Sequence, residues 1–423
     1  MKKWFKPAEI LLPDFNKISA EKWAVIACDQ FTSEPEYWEA AKNAVEGSPS
    51  TLNMILPEVY LSESETRIPK INATMNEYLS DILTANKDAV ILVEREQSDG
   101  RVRKGLVLAI DLEQYDYTRG ASSLIRATEA TVAERIPPRV AIRRGASIEM
   151  PHVMLLIDDD EKTVIERLTA VKSEGARIAY DTPLMLGGGH IKGRFLEKDE
   201  IEAVSEALCA LITPDNMQKR YGDGSLAPLL FAVGDGNHSL ATAKASYEEI
   251  KARIGADAAS THPARYALAE VVNIHDTALD FEPIYRVMFG VDPEDVIAKL
   301  TAYAKTLSGN ADAQSLSYLA KGISGELTVP APQRQLTVGT LQDFIDNYVA
   351  SCEGAEVDYI HGVDSVTELS LSREDSIGFI FDGMSKSELF KTVIFDGALP
   401  RKTFSMGHAR DKRYYLECRK ITL

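Results

Sequence analysis

Asp235 and His238 stand close together in a glycine-rich stretch, Val233-Gly234-Asp235-Gly236-Asn237-His238-Ser239-Leu240. A carboxylate and an imidazole in one short turn can hold a metal ion or move a proton. The flanking residues say what carries them. Leu229-Leu230-Phe231-Ala232-Val233 reads as a buried strand, and Ala241-Thr242-Ala243-Lys244-Ala245 reads as the first part of a helix. A strand that breaks at glycine and reopens as a helix presents main-chain N–H groups and the positive end of the helix dipole, which attract phosphate. The plainer alternative is a strand-to-helix turn in which Asp235 caps backbone amides.

Two further glycine motifs are near misses. Gly234-x-Gly236-x-x-Ser239 lacks the third glycine of the dinucleotide fingerprint, and Asp235 and His238 would crowd a pyrophosphate. Gly188-Gly189-His190-Ile191-Lys192-Gly193-Arg194 approaches the spacing of a P-loop, but Arg194 replaces the lysine and Phe195 the Ser/Thr that would hold magnesium. A glycine hairpin is the better reading there, with His190 and Lys192 still candidates for facing an anion.

Basic residues gather in two places. Arg126, Arg135, Arg139, Arg143 and Arg144 form the densest run, with Glu129 inside it as a candidate base. Arginine forks take phosphate oxygens in pairs, whereas a solvated helix face laced with salt bridges explains the run equally well. Arg401-Lys402-Thr403 and His408 to Arg413 form the second cluster, for which a solubilising turn is the favoured reading. His152, His262, His275 and His361 show no ligand spacing, and Asp158-Asp159-Asp160 reads as an acidic helix start rather than a metal site.

Size and composition bound the setting. The 423 residues, 45% hydrophobic and 26% charged, are those of a globular protein of two or three domains. With 47 basic against 64 acidic residues the formal charge is −17, which repels nucleic acid and anionic membranes. A phosphate-bearing ligand must therefore be drawn by local cations or a bound metal ion. Cys28, Cys209, Cys352 and Cys418 form no CxxC pair, which fits a reducing cytoplasm, and no apolar run approaches a membrane span.

The elements that must position these groups alternate. Strands are expected at Trp23–Cys28, Val153–Ile157 and Tyr266–Val272, and hairpins across Ser98-Asp99-Gly100-Arg101 and Gly187-Gly188-Gly189-His190. Helices are expected over Glu34–Val45, from Asp158–Asp160 to about Lys172, and over Asp199–Leu211. Further on, Asp292–Leu307 and Leu341–Ala350 read as helical, Gly322–Pro332 as turn-rich, and Ile377–Phe381 and Tyr414–Cys418 as strands. Hairpin-linked strands mixed with helices give an α+β (mixed α/β) class, with a core over 1–290 and a C-terminal α/β region over 291–423 that packs back and contributes the Lys402 loop.

In order along the chain, these motifs resemble a bacterial and archaeal family, domain of unknown function 1015. Gly234 to Ser239 resembles its Asp-Gly-His-His-Arg signature, Arg126 to Thr131 its His-Glu-x-Thr segment, and Phe281 to Arg286 its Pro-Thr-His-Arg. Phe5-Lys6-Pro7 through Cys28-Asp29-Gln30 looks like its start, and Leu399 to Thr403 its terminal Pro-x-Lys-Ser/Thr. That family is distantly similar to the ParB/sulfiredoxin superfamily, one branch of which phosphorylates free serine with a nucleotide. The resemblance implies a ParB/sulfiredoxin-like core and a nucleotide-dependent phosphotransferase acting on a small hydroxylated metabolite, with Mg2+ and ATP or ADP. In that reading Asp235, His238 and Glu129 are catalytic, and Asp235 is also the metal ligand. Gly234, Gly236, Asn237, Ser239, Arg126, Arg139, His190, Lys192, Lys402 and Thr403 hold phosphate. A phosphatase and a non-catalytic nucleotide- or metabolite-binding protein are the alternatives, and a homo-oligomer is left open. Asn237, Ser239 and Tyr285 depart from the signature, each where the family has His or Arg.

Overall fold

The computed structural model describes residues 4–129, 136–170 and 175–423. Contacts divide it into two units. The first takes residues 1–127, 131–279 and 408–423, and the second takes 128–130 and 280–407. The sequence alone puts the change of texture at about Gly290. The division falls earlier because Phe281–Phe289 is a strand of the second unit's sheet. The last sixteen or so residues, read as part of the C-terminal region, group with the first unit instead.

Among the described residues the first unit is built on a ten-stranded sheet. Its strands are β1 (Phe5–Lys6), β2 (Ile91–Glu96), β3 (Val102–Asp111), β4 (Tyr115–Asp116), β5 (Ile125–Ala127), β6 (Met154–Ile157), β7 (Ile178–Pro183), β8 (His190–Phe195), β9 (Phe231–Asp235) and β10 (Tyr266–Asn273). They lie in the order β7-β8-β2-β3-β10-β6-β9-β5-β4, with β1 beside β3. Pairs β6/β10, β9/β5 and β4/β5 are parallel and the rest antiparallel, so the mixed α/β class read from the sequence is the fold observed. Both expected hairpins form, β2/β3 across Asp99-Gly100 and β7/β8 across the glycine run.

The sheet is covered on both faces. Along β3, Leu106, Leu108 and Ile110 enter one core while Val107 and Ala109 enter another, the alternation a pleated strand imposes. That is why β3, β6 and β9 read as nearly unbroken apolar runs. Helices α1 (Pro35–Val45), α2 (Ile136–Arg143), α3 (Lys198–Leu211) and α4 (Asn237–Ile254) belong to this unit. Ile136 and Val140 of α2 pack on Ala241 of α4.

Some local expectations change. The strand expected over Trp23–Cys28 shrinks to Val25–Ile26, because Ser19 accepts the Lys22 N–H at 3.4 Å and Ala20–Trp23 turns helical. The strand expected over Tyr414–Cys418 is only Tyr414–Tyr415, paired with Val25–Ile26. After the Asp158–Asp160 run the described helix is Glu166–Ala170, while Asp159 accepts the Val164 N–H at 2.8 Å; Lys172 lies outside the described residues.

The second unit carries a six-stranded sheet: β11 (Phe281–Phe289), β12 (Gln314–Ala320), β13 (Ile323–Val329), β14 (Glu356–His361), β15 (Ser376–Phe381) and β16 (Phe404–Met406). The order is β13-β12-β15-β11-β14, with β16 beside β11. β13 occupies the stretch expected to be turn-rich. Gly322, at φ 77°, closes a tight hairpin and β13 then runs back along β12. Helices α5 (Pro293–Thr306), α6 (Thr337–Ser351), α7 (Val363–Leu371) and α8 (Lys386–Asp396) complete it. No described helix in either unit is long and apolar enough to cross a membrane.

A buried ionic network ties the end of the chain to the first sheet. Glu270 on β10 is 0% exposed and meets Arg103 of β3 at 3.5 Å and Arg413, which also binds Glu417. Tyr180 of β7 donates to Glu417. The expected solubilising turn over His408–Arg413 is therefore corrected: Asp411 and Arg413 are buried and ion-paired or hydrogen-bonded inside the unit. Removing one member of such a network leaves a buried charge without its counter-ion. Glu270→Ala is expected to lower the unfolding free energy by about 3–5 kcal/mol, read from urea denaturation at neutral pH. A loss below about 1 kcal/mol, the size of an exposed pair, would contradict it.

Candidate functional site

Strand β9 is held on both sides, antiparallel to β6 and parallel to β5, and it delivers Asp235 to its end. Gly236 then takes φ 81° and becomes the N-cap of α4. A Cβ there would come within 3.1 Å of His152 Cδ2 and of the Val153 main chain and would also be strained at this φ, so glycine is strongly favoured. The register between β6 and β9 slips at Met154/Leu155, opposite Asp235, an irregularity that re-aims the strand end. Residues Gly234 to Ser239 are all half-buried. The first helical bond runs from the Leu240 N–H to the Gly236 carbonyl at 3.0 Å, and Gly236 has no side chain to cover the N–H groups before it.

Both oxygens of Asp235 are engaged. Oδ1 accepts the Gly236 N–H at 2.9 Å and Oδ2 meets the Lys412 ammonium at 3.0 Å. His238 faces its own helix through its carbonyl, which accepts the Thr242 hydroxyl at 2.7 Å.

Asp29, His152, Tyr415 and Lys412 join this turn; the sequence reading gives His152 no ligand spacing and places Lys412 in a solubilising cluster. His152 Nε2 lies 3.1 Å from Asp29 Oδ2, and its Nδ1 lies 2.6 Å from the Tyr415 hydroxyl. That hydroxyl accepts the Cys28 N–H at 3.3 Å and donates to Cys28 Sγ at 3.4 Å. The Asp29 carboxylate can only accept, so Nε2 donates to it, an arrangement that favours the charged ring. Burial works against that charge, but the Tyr415 hydroxyl and the Asp29 carboxylate hold the ring well above its ordinary pKa. Burial likewise opposes charge on Asp29, and the imidazolium, the Gln30 amide and Lys412 outweigh it and keep the carboxyl well below the usual range. Two carboxylates, an ammonium and the His152 ring thus meet beside the start of an eighteen-residue helix. The partners are 123 and 177 positions apart along the chain, and no local pattern announces them.

The other candidates are placed differently. Arg126 is 4% exposed and gives Nε to the Ser123 carbonyl and Nη2 to those of Ala227 and Pro228, so its fork fastens strand ends. Arg139 pairs with Glu58 at 2.5 Å, Arg143 with Glu149, and Arg144 with Glu249 at 3.0 Å. Arg135 lies outside the described residues. His190 and Lys192 on β8 share Asp181 of β7 at 3.2 and 3.7 Å, half-exposed near the sheet's edge. Glu129, Lys402 and Thr403 belong to the second unit, where Glu129 bridges to Leu399 and Thr403 is buried. Among the described residues no group of three or more His, Cys, Asp or Glu side chains could jointly hold a metal ion.

The His152–Asp29 pair gives a signed pH dependence. A histidine raised above its unfolded value contributes fully below about pH 6.5 and fades as pH climbs through the folded value. A depressed aspartate contributes above about pH 4 and fades as pH falls. The pair is therefore worth most between about pH 4 and 6.5. In an NMR titration His152 is expected to stay doubly protonated at pH 7.5 in the wild type and to lose its proton at lower pH in Asp29→Asn, where burial is no longer opposed by the carboxylate. A neutral ring at pH 7.5 in the wild type contradicts the assignment.

No curated protein matches this sequence. Among solved structures it is similar to a free serine kinase in complex with AMP, at 11% identity and TM-score 0.36, covering 75% of this chain and 92% of that one. A conserved hypothetical protein from Pyrococcus furiosus is similar at 11% identity and TM-score 0.34, covering 75% and 95%. SbnI from Staphylococcus aureus, truncated at its C-terminus, is similar at 10% identity and TM-score 0.33, covering 71% and 82%. By sequence, the model of the family described as protein of unknown function DUF1015 matches residues 12–419, nearly the whole length. The glycine turn, the Lys402 loop and the strands between them all lie inside that span, and the chain belongs to the DUF1015 family.

Proposed function

We propose that this protein is a nucleotide-dependent phosphotransferase acting on a small hydroxylated metabolite, free serine being the leading acceptor. The observation that carries the reading is the Lys412–Asp235 pair, 3.0 Å apart, at the glycine-made start of α4. A helix start draws phosphate, and a lysine beside it adds a full positive charge. Phosphoryl transfer asks for positioning, neutralised charge and an acceptor for the hydroxyl proton. In this scheme Lys412 moves from Asp235 to the incoming phosphate, and Asp235 is then free to take the proton from the acceptor hydroxyl or to ligate magnesium. The main chain after Gly236 and His238 hold the phosphate, and the Asp29–His152 pair stands beside it without net charge.

Magnesium fits the donor set. Asp235 offers hard oxygen once Lys412 leaves it, and magnesium usually combines one or two carboxylates with phosphate and water. Bound that way, the ion would neutralise charge on the transferring phosphate. A reducing, cytoplasmic setting is supported by four unpaired cysteines. Glu129, Lys402 and Thr403 remain candidates as a second set of groups, carried by the other unit.

Asn237 and Ser239 favour one other reading. An arginine at the position of Ser239 would supply a charged fork, and without it the turn can hold a nucleotide and not react. Calorimetric titration of folded protein with ATP, ADP and CTP, each with Mg2+, is expected to give saturable heat for at least one. Asp235→Asn is expected to keep binding and to cut transfer to serine by about a hundredfold or more. Nucleotide binding with no transfer in the wild type would favour the binder, and phosphate release from phosphoserine without nucleotide would mark a phosphatase. No heat with any nucleotide removes the proposal.

A further inference from the structure

One end of the second unit's sheet borders a cavity of about 400 Å3. β12 begins there and β15 ends there, because the two run antiparallel with Leu316 opposite Phe381. Gln314, at the start of β12, is 6% exposed and lines the cavity. Its amide ties the start of α6 to the same place: Nε2 donates to the Arg334 carbonyl and Oε1 accepts the Thr340 hydroxyl, both at 2.7 Å. A side-chain amide has two donors and an oxygen with two lone pairs, so Gln314 keeps one N–H and one lone pair for an occupant. Helix α6 itself starts without a cap. Leu336 holds the N-cap position and offers no side-chain oxygen, and its carbonyl takes the N–H groups of Gly339 and Thr340 at 2.9 and 3.2 Å. Among the described residues the N–H groups of Thr337 and Val338 meet no acceptor, and both residues line the cavity.

The wall carries charge of both signs, and the charges do not meet. Asp312, Asp382 and Lys391 all line the cavity, yet among the described residues none of the three has an oppositely charged side chain within 4.0 Å. Glu388, a third carboxylate in the wall, is spent on Ser385, whose N–H it accepts at 2.7 Å and whose hydroxyl at 2.6 Å. An anion alone would meet Asp312 and Asp382, and a cation alone would meet Lys391 and the positive end of α6. A molecule with an ammonium at one end and a carboxylate at the other satisfies both sets. The volume falls within the roughly 300–1,000 Å3 of small-molecule pockets, and Pro283, Leu336 and Phe381 give it an apolar stretch of wall.

We propose that this cavity binds a free α-amino acid, with Asp312 and Asp382 taking its ammonium, and Lys391 with the Thr337 and Val338 N–H groups taking its carboxylate. The site lies wholly within the second unit and needs no nucleotide, so it goes beyond the function proposed above and does not rest on it. Calorimetric titration of the full chain, without nucleotide, with each of the twenty protein amino acids at millimolar concentration is expected to give saturable heat for at least one. The N-acetyl and carboxamide forms of the best binder each lack one charge, and both are expected to bind at least about tenfold more weakly. Asp382→Asn is expected to narrow the gap between the amino acid and its N-acetyl form, and Lys391→Met the gap to its carboxamide. Both side chains are exposed, so neither variant is expected to lower Tm. The proposal is overturned if no amino acid binds, if a blocked form binds as well as the free one, or if both variants bind and discriminate as the wild type does. Binding lost in Asp235→Asn and kept in Asp382→Asn and Lys391→Met would put the amino acid at the start of α4, sparing the function proposed above and overturning this one.

Discussion

Helix α4 begins at Gly236, whose left-handed backbone and close neighbours strongly favour a residue without a side chain. His152 and the Val153 main chain press against that position, so the turn is left-handed and the helix start opens beside a histidine rather than beside solvent alone. From that one steric fact the neighbourhood follows. Asp235 is delivered to the strand end, His152 is fixed within reach of Asp29, and Lys412 on the chain's last segment closes over the carboxylate. The geometry is a consequence of packing before it is a matter of charge.

Charge decides what such a corner can receive. The chain is acidic overall, yet around the turn its carboxylates face the Lys412 ammonium and a His152 ring whose pKa is raised. An ion pair at partial burial gains little net stability, because desolvation offsets most of the attraction. Under the proposed function its value is that the cation is already in place and can change partners when a phosphate arrives. The deeper network of Arg103, Glu270, Arg413 and Glu417 is different in kind. It is fully enclosed and fastens the chain's end to the sheet, next to the lysine that meets Asp235.

How much of this was legible in the sequence depends on distance along the chain. The hairpin at Asp99-Gly100 and the strand-to-helix break at Gly236 are local, set by residues within a few positions, and both appear as read. Asp29 and His152 give no sign of a site in the sequence because each is ordinary in its own window and acquires meaning only from a partner more than a hundred positions away. Arg126 was misleading for the converse reason. A lone arginine in a basic run looks available, and only the fold shows its donors held by three carbonyls. Lys412 and Arg413 read as a solubilising cluster, since a pattern of charges does not say which of them the fold will bury.

The central claim is that the start of α4, with Lys412 beside it, receives the phosphate of a nucleotide. A crystal structure of the full chain with Mg2+ and a non-hydrolysable ATP analogue tests it most directly. The account predicts a phosphate group within hydrogen-bond reach of the main chain after Gly236, with the Lys412 ammonium turned from Asp235 toward it. A nucleotide bound elsewhere, with Lys412 still on Asp235 and the turn solvated only by water, would contradict it.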